Sequence, residues 1–361
     1  MNRLLGGIFA AATFAGTAFA QDVPQGYPAE YAQIIEGSKA EGKLLIYDNI
    51  SEANWSKLIP RFREKYPWIQ IDIPHLTTNE VFSRWEVESG TGVETGDIIV
   101  NGDPDTWLRV ADKMMPYESP EAAALPDFAK PRPGIYVLST DPFMFVYNTA
   151  LLPEGDKITT LAELAEAAKA DPGTFNQRIT SYDPARHVAG VAIWRAITHK
   201  LGEEGWKSLE TLIPMMRLEV SSGPMTEKVT TGEYVFTVAG TGIVVFPKLR
   251  QAGGEILGVS YPKDISMIQH RFVSIPANSK NVNSAKLLMD FVLSAEGQGL
   301  LGEGGLTPYR EDVQVPDNVT TLADITAKVP LQDLVIVDMN PEVIGTLDAF
   351  RTRWNEIAAK R

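Results

Sequence analysis

Leu44-Leu45-Ile46-Tyr47, the turn Asp48-Asn49-Ile50-Ser51, then Trp55, Leu58, Ile59, Phe62 and Tyr66, Pro67 and Ile69 to Ile73 form the stretch that decides the fold. Four consecutive apolar residues suit a buried strand. Behind the turn, apolar side chains recur at helical spacing, Ser51 fits the N-cap, and Pro67 stops the helix. The spacing predicts one helix running to Tyr66. Ile69 to Ile73 then reads as a second strand. Strand, helix and strand joined by short connections make the unit of a parallel, helix-covered sheet, so the class is α/β.

The pattern continues outward. Asp97-Ile98-Ile99-Val100 is a strand, Asn101-Gly102-Asp103-Pro104 a turn, and Trp107 to Met114 a helix. Ile135 to Leu138 and Phe143 to Tyr147 are extended, with a predicted break at Ser139-Thr140-Asp141-Pro142. Thr160-Leu161-Ala162-Glu163 is a capping box for a helix ending near Asp171-Pro172-Gly173. Arg178-Ile179-Thr180 enters Ser181-Tyr182-Asp183-Pro184, where Asp183 suits the N-cap and Pro184 the first turn of the next helix. Val188, Val191, Ala192, Trp194 and Leu201 would be its buried side. Val235 to Val238 is a strand ending in Ala239-Gly240-Thr241-Gly242, and Leu287 to Leu293 and the stretch after Pro341 read as helical. There is no internal repeat, low-complexity tract or Pro/Ser-rich linker.

The chain has 361 residues, enough for about two domains. With 44% hydrophobic and 22% charged residues it is globular in composition. It contains no cysteine, which excludes disulfide scaffolds, thiolate metal sites, cysteine nucleophiles and lipid attachment through cysteine. Thirty-three basic against 46 acidic side chains give a net charge of −13, which argues against a nucleic-acid partner. Residues 1–20 read as a signal peptide: Arg3 is basic, the following run is apolar and small, and Ala18-Phe19-Ala20 is a cleavage site. No later stretch reaches the roughly 18 apolar residues of a membrane span. The expectation is an exported, soluble protein.

Catalytic signatures are weak. His75, His187, His199 and His270 never stand four apart around a glutamate, and no G-x-S-x-G elbow occurs. Gly37 to Leu44 misses the phosphate-loop pattern by its last residue and precedes its strand; Gly240-Thr241-Gly242 lacks a third glycine. Asp103 and Asp105 could be paired carboxylates, which keeps an exported hydrolase as the reading from another class; an acidic turn is the plainer alternative. Polar turns nonetheless follow three strands and open helices, at Asp48–Ser51, Asn101–Asp103 and Ser181–Asp183. Ligands collect at the carboxyl ends of strands in open α/β sheets, and free N–H groups at helix starts bind acceptors there. The same residues would serve merely as caps. Three such turns together with Gly240-Thr241-Gly242 point to a shared cleft.

The segments LLIYDNISEANWSKLIPRFREKYPWIQIDI, GDIIVNGDPDTW, PYESPEAA and GIYVLSTDPFMFVYNT, then VTTGEYVFTVAGTGIVV, GVSYPKDISMIQHRFVSIPANSKN, FVLSAEGQGLL and GLTPYRED, carry a resemblance from Lys43 to Asp312. In order and spacing they resemble the bacterial periplasmic solute-binding proteins of ABC importers. The branch is the ferric-iron, phosphosugar and phosphonate one of the type 2, two-lobed class. The resemblance implies two α/β lobes joined by hinge strands, with residues 21–137 and 266–330 in lobe 1, 138–265 in lobe 2 and 331–361 as a helical tail. Tyr136–Thr140 and Val259–Ser266 would be the two crossings. It further implies a monomeric receptor without chemistry or cofactor, delivering its solute to an inner-membrane permease driven by an ATPase.

For the cleft, the reading places Asn49, Ser51, Asn101 and Asp103 on one wall and Ser181, Asp183, Arg186 and Thr241 on the other, with Thr140 by the hinge. Ferric members of the family carry adjacent tyrosines on the strand that here reads Val235 to Gly242; their absence counts against iron. Tyr47, Tyr147, Tyr182 and Tyr261 could still supply isolated oxygens. Arg186, His187, Lys263, His270 and Arg271 would suit a phosphorylated, phosphonate or carboxylate metabolite. Asp48, Glu52, Asp103, Asp141, Asp183 and Asp264, with Trp55 and Trp107, would suit a cationic amine or thiamine-like solute. The sequence leaves the sign of the ligand's charge open.

Overall fold

The computed structural model describes residues 23–74 and 76–360; the predicted signal peptide, residues 1–20, lies outside them. Helix α1 (Tyr31–Glu41) leads into strand β1 (Lys43–Asp48), whose Leu44, Ile46 and Tyr47 are buried. The single helix expected behind it is two, α2 (Glu52–Trp55) and α3 (Leu58–Lys65). Pro60 has no N–H to return to Ser56, so the helix restarts at Leu58, where a proline in the first turn costs little. Strand β2 (Gln70–Asp72) and, after α4 (Thr78–Thr91), strand β3 (Ile98–Asn101) flank β1 in parallel. Helix α5 (Pro104–Val110) follows directly.

The break predicted at Ser139–Pro142 is absent, and β4 runs unbroken over Ile135–Asn148. Its turn-prone residues pair with a later strand, Ser139 with Arg271, Thr140 with His270, Asp141 with Gln269 and Pro142 with Ile268. Tertiary pairing here overrides local preference. Beyond it come α6 (Leu161–Ala170), α7 (Pro172–Phe175), β5 (Ile179–Tyr182), α8 (Val188–Met215), β6 (Met216–Glu219) and α9 (Ser222–Thr231). Helix α8 starts at Val188 rather than Pro184, because the Asp183 carboxylate accepts from Ala185 N (2.9 Å) and closes a separate turn first. Then follow β7 (Phe236–Thr241), α10 (Gly242–Leu249), β8 (Leu257–Ser260) and β9 (Met267–Ser274).

The sheet order is β2-β1-β3-β9-β4-β7-β5-β6, with β8 paired to the far end of β4. Two hydrophobic cores flank its middle. Strands β4 and β9 serve both: Ile135–Leu138, Phe272 and Val273 lie in the first core, Phe143, Phe145 and Met267 in the second. The return crossing is therefore Met267–Ser274. The expected segment Val259–Ser266 instead ends β8 and turns through Pro262, whose carbonyl accepts from Ser266 N (2.9 Å).

Helices α11 (Val282–Leu293) and α12 (Ala295–Glu303) return to the first core. After α13 (Leu322–Thr326), the tail expected to be helical contains strand β10 (Val335–Val337), parallel to β9; its β-branched run favours the extended state. Helices α14 (Pro341–Ile344) and α15 (Leu347–Ala358) end the described chain. Trp354 packs on Trp194 (5.5 Å) and Phe350 on Trp206 (5.8 Å), fixing α15 to α8. No described helix is long and apolar enough to cross a membrane.

Asp290 of α11 is buried and accepts hydrogen bonds from Ser119 Oγ (2.6 Å) and from the phenols of Tyr31 and Tyr117 (2.8 Å each). Burial pushes its carboxyl up from 3.8 to about 6, against the pull of those donors. The folded value exceeds the unfolded one, so the stability this group contributes is complete below pH 3.8 and lost as pH rises through about 6. Two units correspond to about 3 kcal/mol. The stability of Asp290→Asn relative to the parent should therefore fall by about that amount between pH 8 and pH 4 in urea unfolding; a pH-independent difference would refute the assignment.

Candidate functional site

A cleft of about 200 Å³ opens between the two cores. Four helix starts border it: Thr77 and Thr78 at α4, His187 and Ala189 at α8, Ser221 and Ser222 at α9, Thr241 and Ile243 at α10. The last three helices follow β5, β6 and β7, so the site sits at the carboxyl ends of the strands. Unpaired N–H groups and the positive ends of the helix dipoles gather around it.

Arg271 is the one charged side chain among the described lining residues, and no Asp or Glu borders the cleft. Strand β9 carries it at the crossing, 2% exposed. Its Nε donates to Asp141 Oδ2 (2.9 Å) and its Nη1 to Asn49 Oδ1 (2.8 Å). Asn49 in turn donates to Thr78 Oγ1 (2.8 Å), which fixes the fork from the first core's side. Burial pushes the Asp141 carboxyl up, and the neighbouring guanidinium opposes that shift. Next to Arg271, Gln269 is held by Gly102 O (2.8 Å).

The opposite wall is aromatic and neutral. His187 stacks on Tyr182 at 5.2 Å and 27°. Desolvation holds the imidazole down at about 4 and pushes the Tyr182 phenol up to about 12, so both are uncharged at neutral pH. His187 Nδ1 and Thr241 Oγ1 are buried in the cleft wall without a hydrogen-bond partner among the described residues. Buried polar atoms left unpaired are costly, and a ligand would relieve them.

Of the nine residues expected at the site, Asn49 and Thr241 border the cleft and seven do not. Ser51 binds Asn54 Oδ1 (2.7 Å) at the start of α2. Asn101 donates to Thr78 O (3.0 Å) and accepts from Asp103 N (2.8 Å). Asp103 caps α5 through Asp105 N (3.2 Å) and Thr106 N (3.4 Å). Thr140 donates to Thr307 O (3.2 Å), and Ser181 Oγ is buried away from the cleft. Asp183 and Arg186 pair with each other (2.6 Å), and Arg186 also reaches Leu218 O (3.1 Å). Thr77, Thr78, Ser221, Ser222 and Gln269 were not singled out in the sequence. The capping pattern Thr77-x-x-Glu80 was the available signal for the first pair, and its Thr77 and Glu80 bond as such a box does.

A cleft between two α/β cores linked by two shared strands defines the fold of a two-lobed binding protein. The family described as bacterial extracellular solute-binding protein matches residues 57–327, and the chain belongs to it. No curated protein matches in sequence. Among solved structures, the substrate binding protein of the ABC transporter from Agrobacterium tumefaciens is similar at 20% identity and a TM-score of 0.76, over 88% of this chain and 94% of that one. The ferric binding protein from Campylobacter jejuni shares 17% identity with a TM-score of 0.67, over 87% and 99%. The periplasmic binding protein AfuA from Actinobacillus pleuropneumoniae, with fructose-6-phosphate bound, shares 18% with a TM-score of 0.68, over 88% and 97%.

Proposed function

We propose that the chain is the periplasmic receptor of an ABC-type importer and captures a small anionic metabolite carrying a phosphate, phosphonate or carboxylate. It would work as a monomer without chemistry or cofactor and hand its solute to an inner-membrane permease and ATPase. One observation carries the sign of the charge: four helix starts and Arg271 face a cleft that no carboxylate among the described residues borders. The alternative cationic solute loses most of its partners, because Asp141 is tied to Arg271, Asp183 to Arg186, Asp264 to Leu161 N and Asp48 to Trp55 Nε1, and Glu52 with Trp55 borders a separate pocket outside the cleft. Ferric ion requires several hard anionic oxygens. The cleft has one phenol, Tyr182, and among the described residues no cluster of three His, Cys, Asp or Glu side chains occurs. Nor does the paired-carboxylate hydrolase gain support, since Asp103 is a helix cap.

Thermal unfolding of the stripped mature protein against sugar phosphates, phosphonates, phosphoglycerates, carboxylates, ferric citrate, thiamine and polyamines tests this reading. A true ligand at 100 times its Kd adds about 2.7 kcal/mol and raises the midpoint measurably. The expected shift comes from one anion class. A shift with thiamine or polyamines alone, or an iron-dependent visible band, would overturn it.

A further inference from the structure

Asp105 and Arg195 join the two cores outside the cleft. Asp105 lies on α5, two residues before Trp107, which is buried in the first core; Arg195 lies on α8 between Trp194 and Ala196 of the second. The contact is bidentate, Nη1 to Oδ1 at 2.8 Å and Nη2 to Oδ2 at 2.6 Å. The Arg195 side chain is 2% exposed, that of Asp105 27%. Neither borders the cleft. Asn79 of α4 also donates to Arg186 O (3.3 Å) and accepts from Val188 N (3.5 Å), a second contact between the same two halves.

We propose that the Asp105–Arg195 pair is a latch that keeps a closed population of the receptor before solute arrives, and so sets affinity without touching the ligand. A two-pronged guanidinium–carboxylate contact forms in one relative placement of its partners and is lost when they separate. Opening returns both groups to water, so the pair adds to the closed state alone. Removing one partner leaves the other desolvated and unpaired in the closed state and costs nothing in the open one. Among the described residues the Nε of Arg195 is already buried without a partner, so the closed state offers no spare acceptor for a guanidinium that loses Asp105. Any group acting on one state alone shifts the equilibrium by its full differential free energy. The inference holds for whichever solute the cleft takes.

The cysteine-free chain makes the test direct. Val87→Cys on α4 and Leu151→Cys after β4, at positions 68% and 43% exposed, put one spin label on each half. Distance distributions of the stripped, ligand-free protein are compared with those carrying Asp105→Asn or Arg195→Met. The expected result is a mixed population in the parent and an open-to-closed ratio about tenfold higher or more in each variant, with the double variant no further shifted than the singles. A parent that is wholly open, or variants that fold and keep the parent distribution, would overturn the latch. Arg195→Met removes the buried charge itself, so it decides the matter should Asp105→Asn fail to fold.

Discussion

Arg271→Lys is expected to weaken capture of the anionic solute by roughly 10- to 100-fold, and Arg271→Met combined with Asp141→Asn by about a thousandfold or more. The guanidinium uses Nε on Asp141 and Nη1 on Asn49, and among the described residues Nη2 has no partner. A lysine keeps the charge but cannot span Asp141, Asn49 and a ligand with three rigid prongs. Arg271→Met alone would leave Asp141 buried and uncompensated, a cost of about 3–5 kcal/mol to the fold that would be mistaken for lost binding. The paired substitution separates the two effects. Titration calorimetry with the solute the thermal panel selects, alongside urea unfolding, reads both. Unchanged affinity in the folded double variant would remove Arg271 from the site and with it the argument for an anion.

Gly134→Ala should be among the most damaging single-methyl changes in the described residues. Gly134 opens β4 with φ at +72°, where an L side chain is strained, and a Cβ there would sit 1.8 Å from Met115 O. Its own carbonyl accepts from Ser274 Oγ (2.7 Å), so the turn is pinned and cannot give way. Strain of about 1 kcal/mol and a backbone clash of several together predict a loss of about 3 kcal/mol or more. Gly253→Ala separates the terms: φ there is +84° and nothing lies within 4 Å, so it should lose about 1 kcal/mol. Equal losses in the two variants by urea unfolding would mean that the Met115 contact relaxes freely.

Where a segment's structure depends on its own residues, the sequence was readable. Ile98–Val100 and Ile179–Thr180 are apolar and form strands; Thr160 caps the helix that follows it, its Oγ1 accepting from Glu163 N (3.0 Å). Ser139–Pro142 misled because its turn-forming types are held extended by β9, some 130 residues later. The site was harder for the same reason. Asn101, Asp103 and Ser51 are the residue types of both ligand contacts and caps, and only the partner tells them apart. For Asn101 that partner is Thr78 O, on helix α4. Arg271 stood out as a cation near a crossing, yet its role depends on Asn49, more than two hundred residues earlier. The resemblance to two-lobed binding proteins supplied the architecture that local pattern could not.

Strands β4 and β9 pair from Ile135↔Ser274 to Phe143↔Met267, with one register shift between Val137 and Ser139, over the passage from one core to the other. A bonded ribbon flexes across its face but resists sliding and swivelling. The two halves of the site therefore behave as a weak bivalent pair on a very short, stiff tether, the regime in which the second contact forms at high effective concentration. Once a solute has touched the Arg271 side or the helix-start side, the other half is already aimed at it. Most of the orientational entropy of forming a two-sided grip is then spent when the chain folds, not when the solute arrives.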